Sequence, residues 1–190
     1  LVFSAEWAIS QKHWGVARDM LNEGFSLLGK SEALELLFFE KWNAILAMAS
    51  QKAGRNFIAF NKVRKKAREL RHWETLRDCD YHQCLLESND DLMLKVYFGT
   101  PHEHYRTHLL SKYSRQLTIP DCYQWDQGAD RKGKRVLDLF ACQGTGPKAG
   151  QIHFRFLEAL CSDFYRPIRL AELHAALFPN QYFNPYSSPN

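Results

Sequence analysis

The sequence predicts a mainly α-helical chain. An antiparallel helical stack occupies residues 1–115, a linker 116–133, and a C-terminal region, 134–190, places a small β element before further helices. Three observations predict this. Through the first 115 residues, apolar side chains recur at intervals of three and four, the period of a helix with one buried face. Over 116–135, "QLTIPDCYQWDQGADRKGKR" brings together Pro120, Gly128, Gly133 and a charged second half, the composition of a boundary. "RVLDLFACQ" (135–143) then has the length and apolar run of a strand, and glycines follow it.

The elements follow in order. Phe3, Trp7, Trp14, Ala17, Leu21 and Phe25 carry the first helical pattern, which Gly15 and Gly29 punctuate. "SEALELLFFEKWNAILAMASQ" (31–51) reads as one long helix, with acidic Glu32 near its positive end and Gly54 at or just beyond its stop. Helices are expected near 56–70, over 72–89 and from Asp90. Thr100, Pro101 and Glu103 form a helix start, with cap, first-turn proline and capping acid. Beyond the β element, 151–165 is a helix with Ile152, Phe156, Leu157 and Leu160 on one face. "RPIRL" is extended, "LAELHAALF" is a short helix, and "PNQYFNPYSSPN" is turn. Ser187 or Ser188 before Pro189 reads as the cap of another helix.

One internal echo stands out. "HWGVARDML" (13–21) and "HWETLRDCD" (72–80), 59 residues apart, share His13/His72, Trp14/Trp73, Arg18/Arg77 and Asp19/Asp78. Short antiparallel helices of this length bury their faces on one another as a stack. The region resembles the tetratricopeptide-like stacks of some transcription regulators, although 59 is not the usual spacing of that repeat. The resemblance implies a concave face for a peptide, a small-molecule effector or a second copy of the chain.

"FRFLEALCSDFYRPIRLAELHAALFP" (154–179) resembles the winged helix-turn-helix domain of the bacterial response-regulator type. The resemblance implies that Phe156, Leu157 and Leu160 are first-helix core, Arg166 and Pro167 the corner, and Leu170, Leu173 and Leu177 second-helix core. It covers about the last 55 residues and stops before the recognition helix and wing, so the domain is partial. DNA is then the expected partner. Arg131, Lys132, Lys134 and Arg135 at the foot of the domain, Arg166 and Arg169 beside the second helix, and Ser188 are the expected backbone-phosphate contacts. The residues that would read bases lie beyond Asn190.

"VLDLFACQGTG" (136–146) also resembles the first motif of the class I methyltransferases, through Asp138, Gly144 and Gly146. That resemblance implies an S-adenosylmethionine site. Cys142 stands where the family's first glycine permits a tight turn, and only 44 residues follow Gly146, too few to close such a fold. No Ser–His–Asp order, phosphate loop or acid pair emerges, so no enzyme, catalytic residue or cofactor is expected.

Composition sets the remaining bounds. The net charge of +4 permits nucleic acid without requiring it. Six basic residues in "FNKVRKKARELRH" (Lys62, Arg64, Lys65, Lys66, Arg68, Arg71) read as the solvated side of a helix rather than a phosphate stripe. The five cysteines are odd in number and lack a CxxC, which predicts reduced thiols in a cytoplasmic protein. His102, His104 and His108 lack a third ligand at metal spacing, and Glu87, Asp90 and Asp91 lack that of a calcium loop, so no metal is expected. No membrane span or signal peptide is expected, and the ends read as cut, disordered or processed. The sequence therefore predicts a bacterial transcription regulator fragment. Its helical sensor or dimerisation domain would control a DNA-binding domain. The alternatives are a helical protein–protein scaffold without DNA binding and a methyltransferase fragment.

Overall fold

The computed structural model describes residues 1–29, 32–50, 58–113 and 151–186 with their side chains, and 123–126 and 134–137 by backbone alone. The described residues are mainly helical, as expected. The chain divides into two compact units, Leu1–Met93 with Lys112–Ser114 and Leu94–Ser111 with Arg115–Asn190. Among the described residues no helix is long and apolar enough to cross a membrane.

The first unit contains α1 (Val2–Ser10), α2 (Trp14–Leu27), α3 (Ala33–Ser50), α4 (Ile58–Glu69) and α5 (Trp73–Glu87). Each packs on the next, and α3 also packs on α1 and α5. The helices therefore form two layers: α1, α3 and α5 lie side by side, α2 joins α1 to α3, and α4 joins α3 to α5. The sequence explains why α3 is the centre. Leu37, Phe39, Trp42, Ala44, Ile45, Leu46 and Met48 are all buried, an apolar distribution that nearly circles the helix. In contrast, α4 is narrowly amphipathic. It buries Phe60, Val63 and Ala67, and its exposed basic residues lie outside that stripe. Gly24 of α2 lies directly over Phe39 of α3. A Cβ there would sit 1.9 Å from the ring, so the crossing requires glycine.

The echo of the sequence falls on two turns with the same hydrogen bonds. After α1, Lys12 N–H donates to the Ile9 carbonyl (3.0 Å) and His13 N–H to that of Ala8 (2.8 Å). After α4, Arg71 N–H donates to Arg68 (3.1 Å) and His72 N–H to Ala67 (2.8 Å). Both are Schellman turns, and they satisfy carbonyls that a helix end leaves without partners. Both place a long basic residue where glycine is usual, Lys12 at φ 60° and Arg71 at φ 54°. Ala8 and Ala67 are fully buried, so each turn closes against a residue with little bulk. Each histidine also begins the next helix. His72 Nδ1 accepts from the Thr75 N–H at 3.3 Å, whereas His13 makes no such side-chain bond.

α6 (Asp90–Gly99) begins in the first unit, where the Tyr113 hydroxyl donates to the Asp90 carboxylate, and ends in the second. There α7 (Glu103–Lys112) starts later than read: Arg106 N–H donates to the His102 carbonyl at 3.4 Å, so Thr100 and Pro101 precede the helix and Glu103 is its first residue. Thr100 Oγ1 accepts from His102 N–H at 3.3 Å, and the buried Arg106 donates to the Thr100 carbonyl at 2.9 Å. β1 (Tyr123–Asp126) pairs antiparallel with β2 (Lys134–Leu137), Tyr123 opposite Leu137 and Asp126 opposite Lys134. α8 (Ile152–Leu160) packs on α9 (Leu170–Leu177). Phe164 crosses Gly99, where a Cβ would lie 2.8 Å from its side chain, and its N–H donates to the Gly99 carbonyl at 3.0 Å.

One expectation about this pair needs correction. Phe156, Leu160 and Leu170 do not form a core: they are 40%, 42% and 69% exposed. Leu157, Leu173 and Leu177 are half-buried. The cause is how α8 is turned. Arg155 Nη1 donates to the Leu177 carbonyl at 3.0 Å, satisfying a carbonyl at the end of α9, and Ala159 is the buried residue of α8. The contact runs along 155 and 159, which leaves the 152–156–160 stripe outward.

A candidate docking face and its buried ion pair

In the α1/α3/α5 layer, Lys41 of α3 is ion-paired with Asp78 of α5. Lys41 projects from the centre of α3, and only 9% of its side chain is exposed. Its ammonium donates to Asp78 Oδ2 of α5 at 2.5 Å. It also lies over the rings of Trp42 (5.0 Å) and Phe38 (5.8 Å), so a desolvated cation meets both a carboxylate and π faces. The two aromatics are fixed from α5 and its N-cap: Trp42 meets His82 edge-on at 5.3 Å, and Phe38 meets the ring of the N-cap His72 at 5.1 Å. Glu6 of α1 lies in the field of both Lys41 and Asp78. Burial raises its pKa above the usual carboxylate value, Lys41 opposes that, and Asp78 adds to it.

A second polar network joins α4 to α5. Arg64 Nε donates to Asp80 at 2.9 Å and its Nη2 to Gln83 at 2.5 Å, while the guanidinium lies over the Phe60 ring. Lys66 reaches Glu40 of α3 at 2.9 Å. Two of the six basic residues in 60–72 thus tie helices together, and Lys62, Lys65, Arg68 and Arg71 are exposed. Arg77 is fully buried and donates to Glu74. Cys79 and Cys84 are buried beside this network, and burial pushes both thiols up to about 12.

The expected phosphate contacts divide by position. Arg131, Lys132 and Ser188 lie outside the described residues, as does 138–146, most of the glycine-rich stretch. Lys134 and Arg135 belong to β2 and are opposed to Asp126 and Trp125 in the ladder. Arg166 makes a two-pronged ion pair with Glu172 of α9, 3.1 Å on each arm. The same carboxylate accepts from the Arg169 backbone N–H at 3.2 Å. Glu172 thus already supplies an anion at the start of α9, and these contacts hold its pKa below the usual value, the Arg166 hydrogen bond first. Both residues line a cleft of about 640 Å³ between α8 and α9, with Arg155, Glu158, Asp163 and Ile168.

His104 and His108 stack at 5.9 Å, and no group of three or more metal-ligating residues exists among the described residues. Glu87 ends α5, and Asp90 and Asp91 begin α6, the helix boundary read from the sequence. Comparison with protein-family models, curated proteins and solved structures finds no match to this chain. The Lys41–Asp78 pair was not anticipated. Asp78 entered only through the echo, and Lys41 not at all. Its signal was a lysine inside the apolar run "LLFFEKWNAIL" (36–46), where a solvated lysine has no free face.

Proposed function

We propose that this chain is a protein-interaction module whose α1/α3/α5 layer docks a segment of a partner protein. The observation that carries this reading is the packing of α3 on both α1 and α5, which joins three helices into one continuous layer, with α2 packed on α1 and α3 and α4 on α3 and α5. Stacked helix pairs of this kind present extended surfaces that take peptides. The two matching Schellman turns support it, since each sets α1 against α2 and α4 against α5 in the same way.

A random dodecapeptide display library selected on the immobilised full chain tests the reading. Enriched peptides should slow amide exchange in α1, α3 and α5. Protection confined to other helices, or no enrichment, refutes it.

A second reading, a DNA-binding transcription regulator with this stack as its sensor, is favoured by one observation. The helix–corner–helix succession of α8 and α9 has the order of the first two helices of a winged domain. It predicts binding to a random-sequence duplex that weakens steeply with salt. Equal retention at low and high salt argues against it.

A further inference from the structure

The two matching Schellman turns make the α1–α2 and α4–α5 hairpins local equivalents, position for position at an offset of 59. The second hairpin has a helix packed across it. There α3 sets Glu40 against Lys66 at 2.9 Å, Phe38 against His72 at 5.1 Å, Lys41 against Asp78 at 2.5 Å and Trp42 against His82 at 5.3 Å. The equivalent positions of the first hairpin are Trp7, His13, Asp19 and Glu23, and all four are exposed. The rings of Trp7 and His13 meet edge-on at 6.0 Å, and the carboxylates of Asp19 and Glu23 make no hydrogen bond or ion pair among the described residues. Val16 lies on the same side of α2, at helical spacing from Asp19 and Glu23. It is 46% exposed, whereas its equivalent Thr75 is fully buried. α3 meets α2 on another side, where Phe39 packs on Gly24 and Phe25. The first hairpin thus keeps the residues of a helix seat, His13 and Asp19 matching His72 and Asp78, and no helix among the described residues covers it.

We infer that this face receives one helix of a partner protein, which sets an aromatic ring against His13 and, three residues on, a lysine or arginine against Asp19. The chemistry of the occupant is that of α3, whose Phe38 and Lys41 have this spacing on one helix face. Charge complementarity agrees, since Asp19 and Glu23 stand together on α2 and call for a cation. A second copy of the chain does not supply the helix. Phe38 and Lys41 are the one aromatic–basic pair of that spacing in the sequence, and α5 and its N-cap already hold both. Asp19 and Glu23 belong to α2, outside the α1/α3/α5 layer, so this seat is separate from the face proposed above.

A display library of a three-helix-bundle scaffold with one helix face randomised, selected on the immobilised full chain, provides the test. Enriched helices should carry an aromatic residue followed three positions later by lysine or arginine, and should slow amide exchange in α1 and α2. They should bind Asp19→Lys and Val16→Glu chains at least about tenfold more weakly than the parent. Changing the selected basic residue to glutamate should restore binding to the Asp19→Lys chain. A Glu35→Gln chain, altered on the exposed start of α3, should bind as the parent does. Circular dichroism melting confirms that each variant is folded. Binders indifferent to both substitutions, protection confined to α3, α4 and α5, or failure to enrich any helix overturns the seat and leaves the dodecapeptide result to decide the docking reading by itself. A dimer of the unliganded chain that Val16→Glu dissociates in sedimentation velocity overturns the partner helix in favour of a second copy.

Discussion

The Lys41–Asp78 pair gives the sharpest test of the stack, because its two halves should not cost the same to remove. In Asp78→Ala the Lys41 ammonium stays where it is, 9% exposed, and loses its carboxylate. Breaking a buried pair in this way costs about 3–5 kcal/mol, and the 18% exposure of Asp78 places the expected loss near the lower end, about 3 kcal/mol. In Lys41→Met the stem still packs on Phe38 and Trp42, and the carboxylate left behind can take water through its open side. That loss should be about 1 kcal/mol. The double variant buries no unpaired charge and should lose about 2 kcal/mol, against about 4 for the sum of the singles, a coupling of about 2 kcal/mol. Urea unfolding followed by tryptophan fluorescence reads it, since Trp7, Trp14, Trp42 and Trp73 all lie in the first unit. Losses that add within about 0.5 kcal/mol, or Lys41→Met costing as much as Asp78→Ala, would refute the argument.

Three further outcomes are expected. Lys12→Gly and Arg71→Gly should each stabilise the first unit by about 0.5–1 kcal/mol, because glycine removes the left-handed strain but adds freedom to the unfolded chain; thermal melts showing unequal effects would mean the two turns are not equivalent. At pH 8, iodoacetamide should label Cys161 well before Cys79 and Cys84, since a thiol pushed up to about 12 is almost wholly protonated; peptide mass spectrometry that finds all three labelled together would contradict the burial. Glu172 has a lowered pKa when folded, so its contribution to α9 is present above the usual carboxylate pKa and is lost as pH falls through the lowered value. Carboxyl NMR titration should find that midpoint low and Arg166→Ala should raise it; no change would remove the ion pair as the cause.

Much of the fold was legible because it depends on short-range rules. Period 3.6 located the helices, and Thr100, Pro101 and Glu103 marked the start of α7 to within a few residues, with Thr100 and Pro101 lying just before it. The echo was also visible, but its meaning was not. The shared letters surround His13 and His72, whereas the turn depends on the backbone of Lys12 and Arg71 adopting a conformation that sequence rules assign to glycine. A search for glycine stops therefore passes over both turns. The core of α8 failed for a different reason. Ile152, Phe156 and Leu160 make a good apolar stripe, yet helix contact runs through Arg155 and Ala159, where a small residue allows approach and a guanidinium caps the neighbouring helix.

The Lys41–Asp78 pair shows the same limit. Lys41 and Asp78 are 37 residues apart, and nothing local couples them. A formal charge of +4 suggests spare positive surface, but Lys41, Arg64 and Lys66 each face a carboxylate of another helix. Those pairings convert basic residues into helix-to-helix ties and change which charges are left to a partner. The charge left to a partner therefore depends on pairing across the stack, not on the composition of any segment.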